Sequence, residues 1–468
     1  MTIPDWVYDR IFYQIFPDRF ANGDQTNDPP NKQPWGTLPD TVHFQGGDLA
    51  GIQQKLDYLG DLGVNAIYLN PIFLSPSSHR YNTVNYYAID PKLGSLDEFN
   101  NFLKTAHRKG FRVILDGVFN HCGRGFFAFN DVLENEADSP YYNWFHINRF
   151  PLQAYTPGKS TNYTAWWGYK SLPKFNTDYA PVRKYIFDVA KFWVDQGIDG
   201  WRLDVPNEIN DDSFWAEFRR VVRAANPNAY LVGEIWEVDS RWVGENHFDG
   251  LMNYPLRKAI LGLINDERDG DGFIDDIQQI IKAYPYENVL AMYSLLGSHD
   301  VERPRTLFGG SVEKTCLAFT LLFGLPGVPS IYYGDEIGME GGRDPDCRRA
   351  FPWDERKWSR TLQEHIRLLA QIRMAYSSLR RGEIIWPEKG QVEGGVAWIR
   401  SLDSNKKILI TANPSGKDTV LRLKELPTMP VEGKLPNLLD ETHELHIAPN
   451  QVSAPLPAWG AGMYLLPD

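Results

Sequence analysis

Short apolar runs alternate along most of the chain with longer stretches whose apolar residues recur at helical spacing. The runs are Arg10–Phe16, Val64–Asn70, Arg112–Phe119, Gly200–Val205, Tyr230–Ile235, Phe248–Asn253, Leu290–Leu296 and Val328–Tyr333. Each is rich in Ile, Leu, Val, Phe or Tyr and bounded by Gly, Pro, Asn or Asp. Strands buried on both faces of a parallel sheet have this character. The stretches Leu49–Leu62, Leu96–Lys109, Val182–Gln196 and Phe214–Ala225 predict helices between them. Strand-then-helix units repeated about eight times predict an α/β fold closed as a (β/α)8 TIM barrel.

Two places break the rhythm. Roughly eighty residues separate the third run from the fourth, far more than a βα loop needs. The part from Cys122 to Asp178 is dense in Tyr, Trp, Asn, Pro and Gly and predicts an inserted domain B. After Thr361 the stripe Leu362, Ile366, Leu369, Ile372, Tyr376 and Leu379 predicts one more helix. The period then shortens. Val396–Leu402, Lys407–Asn413, Thr419–Leu423, Glu444–Ala448 and Gly462–Leu466 predict a C-terminal antiparallel β-sandwich. The expected organisation is domain A at 1–121 and 179–380, domain B at 122–178 and domain C at 381–468.

Composition narrows the chemistry. The net charge of −12 excludes a nucleic-acid partner, which needs a basic surface, and favours a neutral ligand over phosphates. Aromatic residues make up 13%, with 15 Trp, a supply of flat faces on which sugar rings stack. Cys122, Cys316 and Cys347 are far apart and odd in number, so no disulfide framework or zinc spacing is expected. The opening MTIPDWVYDR has no apolar signal region, and no segment suits a membrane span. A cytoplasmic protein without a membrane partner or organic cofactor is expected, with monomer and homodimer both open. The acidic stretch Asp266–Asp276 lacks the spacing of a calcium loop and reads as a solvated loop with helix caps.

In such a barrel, chemistry sits where strands end. Run three ends DGVFNH (Asp116 to His121) and run four ends in Gly200 to Glu208. Run five ends GEIWE (Gly233 to Glu237) and run seven ends GSHD (Gly297 to Asp300). Any one Asp there could cap a helix, but carboxylates, His and Arg at four strand ends exceed what capping needs. Glycoside hydrolysis requires two carboxyl groups across the bond, one ionised and one protonated. Arg202 lies two residues before Asp204 on the same strand face and is expected to keep it ionised. Glu234 lies beside Trp236 and near other carboxylates, a setting that raises its pKa. Asp204 is therefore read as nucleophile and Glu234 as acid/base. Asp300 is left to hold sugar hydroxyls, with His121 and His299 as hydrogen-bond donors. A metal-hydrolase reading of the same His and Asp lacks a compact His ligand pair.

These blocks, in this order, closely resemble the α-amylase family, glycoside hydrolase family 13, over nearly the whole chain. The resemblance implies a retaining mechanism with Asp204 as nucleophile, Glu234 as acid/base and Asp300 as transition-state stabiliser. It implies substrate contacts from His121, Arg202 and His299, and a sugar-stacking role for Tyr81 in HRYNTVNYYAID. Asp116 matches a residue that orients the Arg. LPKFNTD (Leu172 to Asp178), VPNE and GGRDPDCRRAFPWD (Gly341 to Asp354) resemble the neopullulanase, cyclomaltodextrinase and maltogenic amylase branch. There Asp344 and Arg348 match residues on the non-reducing side, and Glu208 and Trp236 match residues on the acceptor side. FANGDQTNDP with QGGDL resembles that branch's structural calcium site, implying Asn22, Asp24, Asn27, Asp28, the Gly46 carbonyl and Asp48 as ligands. All are oxygen donors, as calcium requires, although an Asx-rich turn has similar composition.

Typical members of that branch carry a further domain ahead of the barrel, whereas here the first run starts almost at once. An open acceptor side is expected from this. The expected activity is hydrolysis of α-1,4-glucosidic bonds, with α-1,6 branches also in reach. The substrates would be maltooligosaccharides, starch or glycogen fragments, pullulan or cyclodextrins. The alternatives are a transglycosylase using the same intermediate, and a non-catalytic glucan-binding protein. The retained carboxylates argue against the second alternative.

Overall fold

The computed structural model describes residues 3–402, 405–424, 432–440, 442–448 and 451–467. Eight parallel strands form its centre. They are β1 (Phe12–Ile15), β2 (Ala66–Leu69), β3 (Arg112–Gly117), β4 (Gly200–Leu203), β5 (Tyr230–Gly233), β6 (Gly250–Leu251), β7 (Tyr293–Leu295) and β8 (Val328–Tyr332). The sheet runs β6-β5-β4-β3-β2-β1-β8-β7. A parallel bridge between Met252 and Tyr293 joins its two edges, so the sheet closes into a barrel. Each expected run holds one strand. β6 and β7 are the shortest, and Gly250 packs against the Ala291 backbone, where a Cβ would stand 2.3 Å from its carbonyl.

The period of two within each strand sorts side chains between two cores. Phe12, Ala66, Ile114, Tyr230 and Val232 point to the barrel axis. Tyr13, Ile67, Val113, Trp201 and Leu231 point outward against the helices. One step further along the inward rows lie Gln14, Tyr68, Asp116, Arg202 and Glu234. Register places Gln14 beside Tyr68 and Asp116 beside Arg202. Polar groups therefore form a buried layer at the C-terminal mouth, directly above an apolar one.

The helices follow the apolar stripes, with two breaks. Leu49–Gln54 and Leu56–Asp61 are separate helices that meet at Lys55, whose ψ of 7° departs from helical geometry. The stripe after Thr361 splits at Tyr376 into Arg360–Ala375 and Ser377–Arg381. Asp269 caps helix Gly270–Ala283 by accepting from Gly272 N, the role expected for that acidic stretch. Among the described residues no helix is long and apolar enough to cross a membrane.

The connection between β3 and β4 carries helix Phe127–Asn135 and short bridged segments. His121 bridges Lys174, Ile147 bridges Tyr163 and Ala165 bridges Pro173. Phe129, Phe145, Tyr163 and Phe175 pack together and join this connection to the main core. Beyond residue 381 two antiparallel sheets face each other across a core that includes Ile399, Leu409, Leu421, Ala454 and Tyr464. Strands Glu383–Ile385, Val392–Glu393, Gly433–Pro436 and Gln451–Leu456 join those expected from the sequence.

Candidate active site

The inward polar layer converges on one guanidinium. Arg202 Nη1 donates to Asp116 Oδ1 at 2.8 Å and to Asp204 Oδ1 at 2.9 Å. Its Nη2 lies 2.9 Å from Glu234 Oε2, and its Nε meets the Met252 sulfur at 3.4 Å. One planar cation thus spans the two carboxyls at the ends of β4 and β5. Asp116 Oδ2 accepts from the hydroxyls of Tyr68 (2.6 Å) and Tyr81 (2.7 Å), which completes its shell. The backbone after Asp204 is bent: Val205 has φ 37°. A β-branched residue in the left-handed region costs on the order of 1–3 kcal/mol and persists only where its surroundings demand it. Here the bend turns the Val205 N–H onto Glu234 Oε2 at 2.9 Å.

Glu234 Oε1 accepts from the Trp236 indole at 3.0 Å. Trp236 stacks on Tyr254 with centroids 3.8 Å apart and planes 7° apart, yet remains 44% exposed. Its free face is therefore open to a ligand. On the opposite side Asp300 Oδ2 lies 3.1 Å from His299 Nε2, and Asp300 Oδ1 lies 3.4 Å from Arg348. Arg348 also pairs with Asp344 at 2.9 Å and donates to the His299 carbonyl. His299 lies parallel to Tyr81, with centroids 5.3 Å apart. Trp166 covers His121 at 5.4 Å, and His121 Nε2 is buried with no protein partner. Glu208 is half-buried and joined to Lys174, whose ammonium donates to the Glu208 carbonyl at 2.7 Å. The structure therefore places Asp204, Glu234, Asp300, Tyr81, His121, Arg202, His299, Trp236, Asp344 and Arg348 around one mouth, with Glu208 following Asp204 on the loop after β4.

Burial pushes the carboxyls of Asp204, Glu234 and Asp300 above the ordinary range. Arg202 opposes this at all three, and at Asp204 the charges of Glu234, Asp116 and Asp300 add to burial. Arg202 acts toward the ionised form of Asp204, as expected, but burial and the neighbouring carboxyls outweigh it in the net direction, and the guanidinium is shared among Asp116, Asp204 and Glu234. Carboxyls this close titrate as a set, and the set retains a proton to higher pH than free carboxyls do. Burial also holds the imidazoles neutral: His121 is pushed down to about 3, and His299 falls well below its usual value.

Residues that sequence reasoning missed hold this arrangement together. Gln14, Tyr68, Asn70, Val205 and Met252 contact the named groups directly. Gln14 and Asn70 had a signal, since each is a polar residue closing or interrupting an apolar run. Met252 had none.

Near β1, Asp48 caps helix Leu49–Gln54 and accepts from Gly51 N (2.6 Å), Asp24 N (2.8 Å) and Gly23 N (3.0 Å). Asp28 accepts from Asn22 Nδ2 at 2.7 Å and Lys32 Nζ at 2.5 Å. Asn22 Oδ1 and Asn27 Oδ1 are buried with no donor. Gly46 has φ 86°, and a Cβ there would stand 2.4 Å from Asp28 Oδ1, so its backbone is pressed against the same group. Two orphaned amide oxygens beside a carboxylate suit an oxygen-seeking cation. Among the described residues no group of three or more His, Cys, Asp or Glu is placed to hold a metal. Amide and backbone oxygens would thus have to supply much of the shell.

Residues 14–371 match the family model described as alpha amylase, catalytic domain. A cyclomaltodextrinase of Geobacillus thermopakistaniensis (strain MAS1) is 43% identical over 442 residues, 93% of this chain and 73% of the relative. A solved cyclic α-maltosyl-(1→6)-maltose hydrolase from Arthrobacter globiformis, in complex with that sugar, superposes with TM-score 0.90 at 38% identity. The match covers 99% of this chain and 100% of that one. An acarbose-soaked debranching enzyme from Nostoc punctiforme superposes with TM-score 0.88 at 38% identity, over 99% and 100% of the two chains. With its buried carboxyls gathered on one arginine at the mouth of a closed barrel, this chain belongs to the α-amylase family of glycoside hydrolases.

Proposed function

We propose that the enzyme hydrolyses α-glucosidic bonds by double displacement, with Asp204 as nucleophile, Glu234 as acid/base and Asp300 holding the sugar. The observation that carries this reading is the single Arg202 guanidinium at 2.9 Å from both Asp204 and Glu234. Two carboxyls on one guanidinium leave little room for the intervening water that an inverting enzyme needs at about 6.5–9.5 Å separation, and suit the retaining spacing of about 5–5.5 Å. In the first step an Asp204 oxygen bonds to the anomeric carbon. The glycosidic C–O bond breaks, and the Glu234 proton passes to the leaving oxygen. In the second step Glu234 takes a proton from water, the water oxygen bonds to the anomeric carbon, and the bond to Asp204 breaks. Asp300 and His299 face the same sugar, and His121 presents its buried Nε2.

The site is asymmetric. On the donor side Arg348 is largely buried and held by Asp344 and Asp300, while the Trp236 platform on the acceptor side is exposed. This asymmetry supports turnover of linear and α-1,6-branched maltooligosaccharides in preference to small cyclodextrins. The asymmetry, rather than the position of the first residue, carries that preference. Of the six expected ligands, Asn22, Asn27, Asp28 and the Gly46 carbonyl would hold a calcium ion and tie the two segments together; Asp48, which accepts from the Gly51, Asp24 and Gly23 N–H groups, and Asp24, which accepts from Thr26, would instead shape the loops. Three free cysteines, Cys122, Cys316 and Cys347, support action in the cytoplasm.

The test is a trapped intermediate. Glu234→Gln is incubated with 5-fluoro-α-glucosyl fluoride, whose leaving group needs no proton, and the digest is analysed by mass spectrometry. A glycosyl adduct on the peptide containing Asp204 is expected. An adduct on another carboxylate, or inversion without an adduct, would refute the assignment. Products from branched maltooligosaccharides, pullulan and β-cyclodextrin, compared by kcat/KM, test the substrate reading. A clear preference for β-cyclodextrin would overturn it.

A further inference from the structure

The buried network behind the reacting carboxyls has a direction that follows from its donors. Gln14 stands on β1 with Tyr68 as its register neighbour on β2. Its amide nitrogen donates to Asn70 Oδ1 at 3.0 Å and meets His299 Nδ1 at 2.8 Å. An amide nitrogen has only hydrogens to offer, so Nδ1 must present its lone pair and the ring proton must sit on Nε2.

The amide orientation rests on an independent anchor. Asp116 Oδ2 can only accept, so the hydroxyls of Tyr68 and Tyr81 spend their protons on it. Both hydroxyl oxygens then accept from Asn70 Nδ2, at 3.3 and 3.0 Å. That leaves Asn70 Oδ1 facing Gln14, and a flipped Gln14 would set oxygen against oxygen. Tyr81 can likewise only accept from His299 Nε2, which lies 2.5 Å away, while Asp300 Oδ2 lies 3.1 Å from the same nitrogen. Gln14, Tyr68, Asn70, Asp116 and His299 are fully or almost fully buried, so water does not scramble their part of the network.

We propose that Gln14 is a positioning residue that fixes His299 as its neutral Nε2–H tautomer, so that the ring's one proton is held between the Tyr81 hydroxyl oxygen and Asp300 and Nε2 never accepts. The inference rests on the proposed roles of Asp300 and His299, yet the tautomer can be measured without turnover. The groups facing the ring are Asp300, Asp116, Arg202, Arg348, His79 and Tyr81. Burial and the two guanidinium groups disfavour an imidazolium there, and Asp116 opposes them. A carboxylate in place of the Gln14 amide would reverse the demand at Nδ1, because it accepts a proton where the amide supplies one.

The test uses protein labelled with 15N-histidine, with His299→Gln to assign the signal. Long-range 1H–15N spectra of the wild type should show an Nε2–H ring at His299 from about pH 5 to about pH 9. Gln14→Glu should convert it to Nδ1–H or imidazolium and lower kcat about 100-fold to 1,000-fold, the scale of losing one oriented donor. Gln14→Met, uncharged and of similar volume, should keep the fold by circular dichroism and lower kcat about 10-fold, with KM changed far less. A wild-type Nδ1–H ring would overturn the proposal even if neither variant folds. So would Gln14→Glu keeping the Nε2–H ring with kcat within threefold of wild type. Wild-type protein with the Nε2–H ring but no activity on any α-glucan would instead refute the functional reading.

Discussion

Replacing Asp116 by Asn removes one negative charge from the centre of the buried layer while changing little in size. Asp116 is 1% exposed and contacts Arg202 at 2.8 Å, Tyr68 at 2.6 Å and Tyr81 at 2.7 Å. Breaking one side of such a buried pair costs about 3–5 kcal/mol. The new amide has two orientations, and both are poor. One sets an N–H group against Arg202, and the other sets it against two hydroxyl donors. Arg202 then leans on Asp204 and Glu234 alone, and Tyr81 loses its anchor. If about 3–4 kcal/mol of this appears in the transition state, kcat falls about 100-fold to 1,000-fold. The pH dependence has a definite sign. The Asp116 charge helps to raise the Asp204 carboxyl, so removing it lowers that pKa. Asp204 acts ionised, so the acid limb of kcat/KM moves to lower pH. Initial rates on maltotetraose across pH, with the melting temperature as a folding control, test this. Activity within threefold of wild type and an unmoved acid limb would refute the shared-guanidinium account.

Further expectations follow from other parts of the structure. Arg348→Ala removes the partner of Asp344 and Asp300, so kcat/KM on maltotriose should fall more than on maltoheptaose; equal losses would detach Arg348 from the donor end. Exhaustive chelation should lower the melting temperature and added calcium restore it, since a ligand at 100 times its Kd stabilises by about 2.7 kcal/mol. Unchanged melting with no metal by elemental analysis would reject that site. Burial pushes the Glu336 carboxyl up to about 7 from a usual 4.5. Its stabilising contribution is complete below pH about 4.5 and is lost as pH rises through 7, on the order of 3 kcal/mol. Urea midpoints of Glu336→Gln should therefore fall less steeply than wild type between about pH 5 and pH 7.5. Parallel slopes would contradict the buried carboxyl as their source.

The barrel was legible because each strand is an apolar run between turn residues and because the polar residues that end the runs are few. Arg202 and Asp204 could be paired from the period of two, and Asp116 and Glu234 could be grouped with them because they end neighbouring runs. The C-terminal sheets were less legible. Val392–Glu393 and Gly433–Pro436 are short edge strands with exposed residues, and they carry too little alternation to be seen. At the site, what escaped the sequence was the sharing of groups. The spacing of Arg202 and Asp204 shows that they meet, but not that Asp116 and Glu234 claim the same guanidinium. That depends on contacts between separate strands, and Asn70 likewise touches partners on two strands and a loop. The Val205 bend and the contact of Met252 with Arg202 belong to tertiary structure and leave no pattern in the chain.

The most direct test of the central claim is the anomeric form of the first product. Proton NMR during the first minutes of maltooligosaccharide hydrolysis, before mutarotation, should show the α-anomer at the newly formed reducing end. Displacement by Asp204 followed by displacement by water inverts the anomeric carbon twice. A β-anomer appearing first would mean one inversion, with water rather than Asp204 attacking, and would contradict the account.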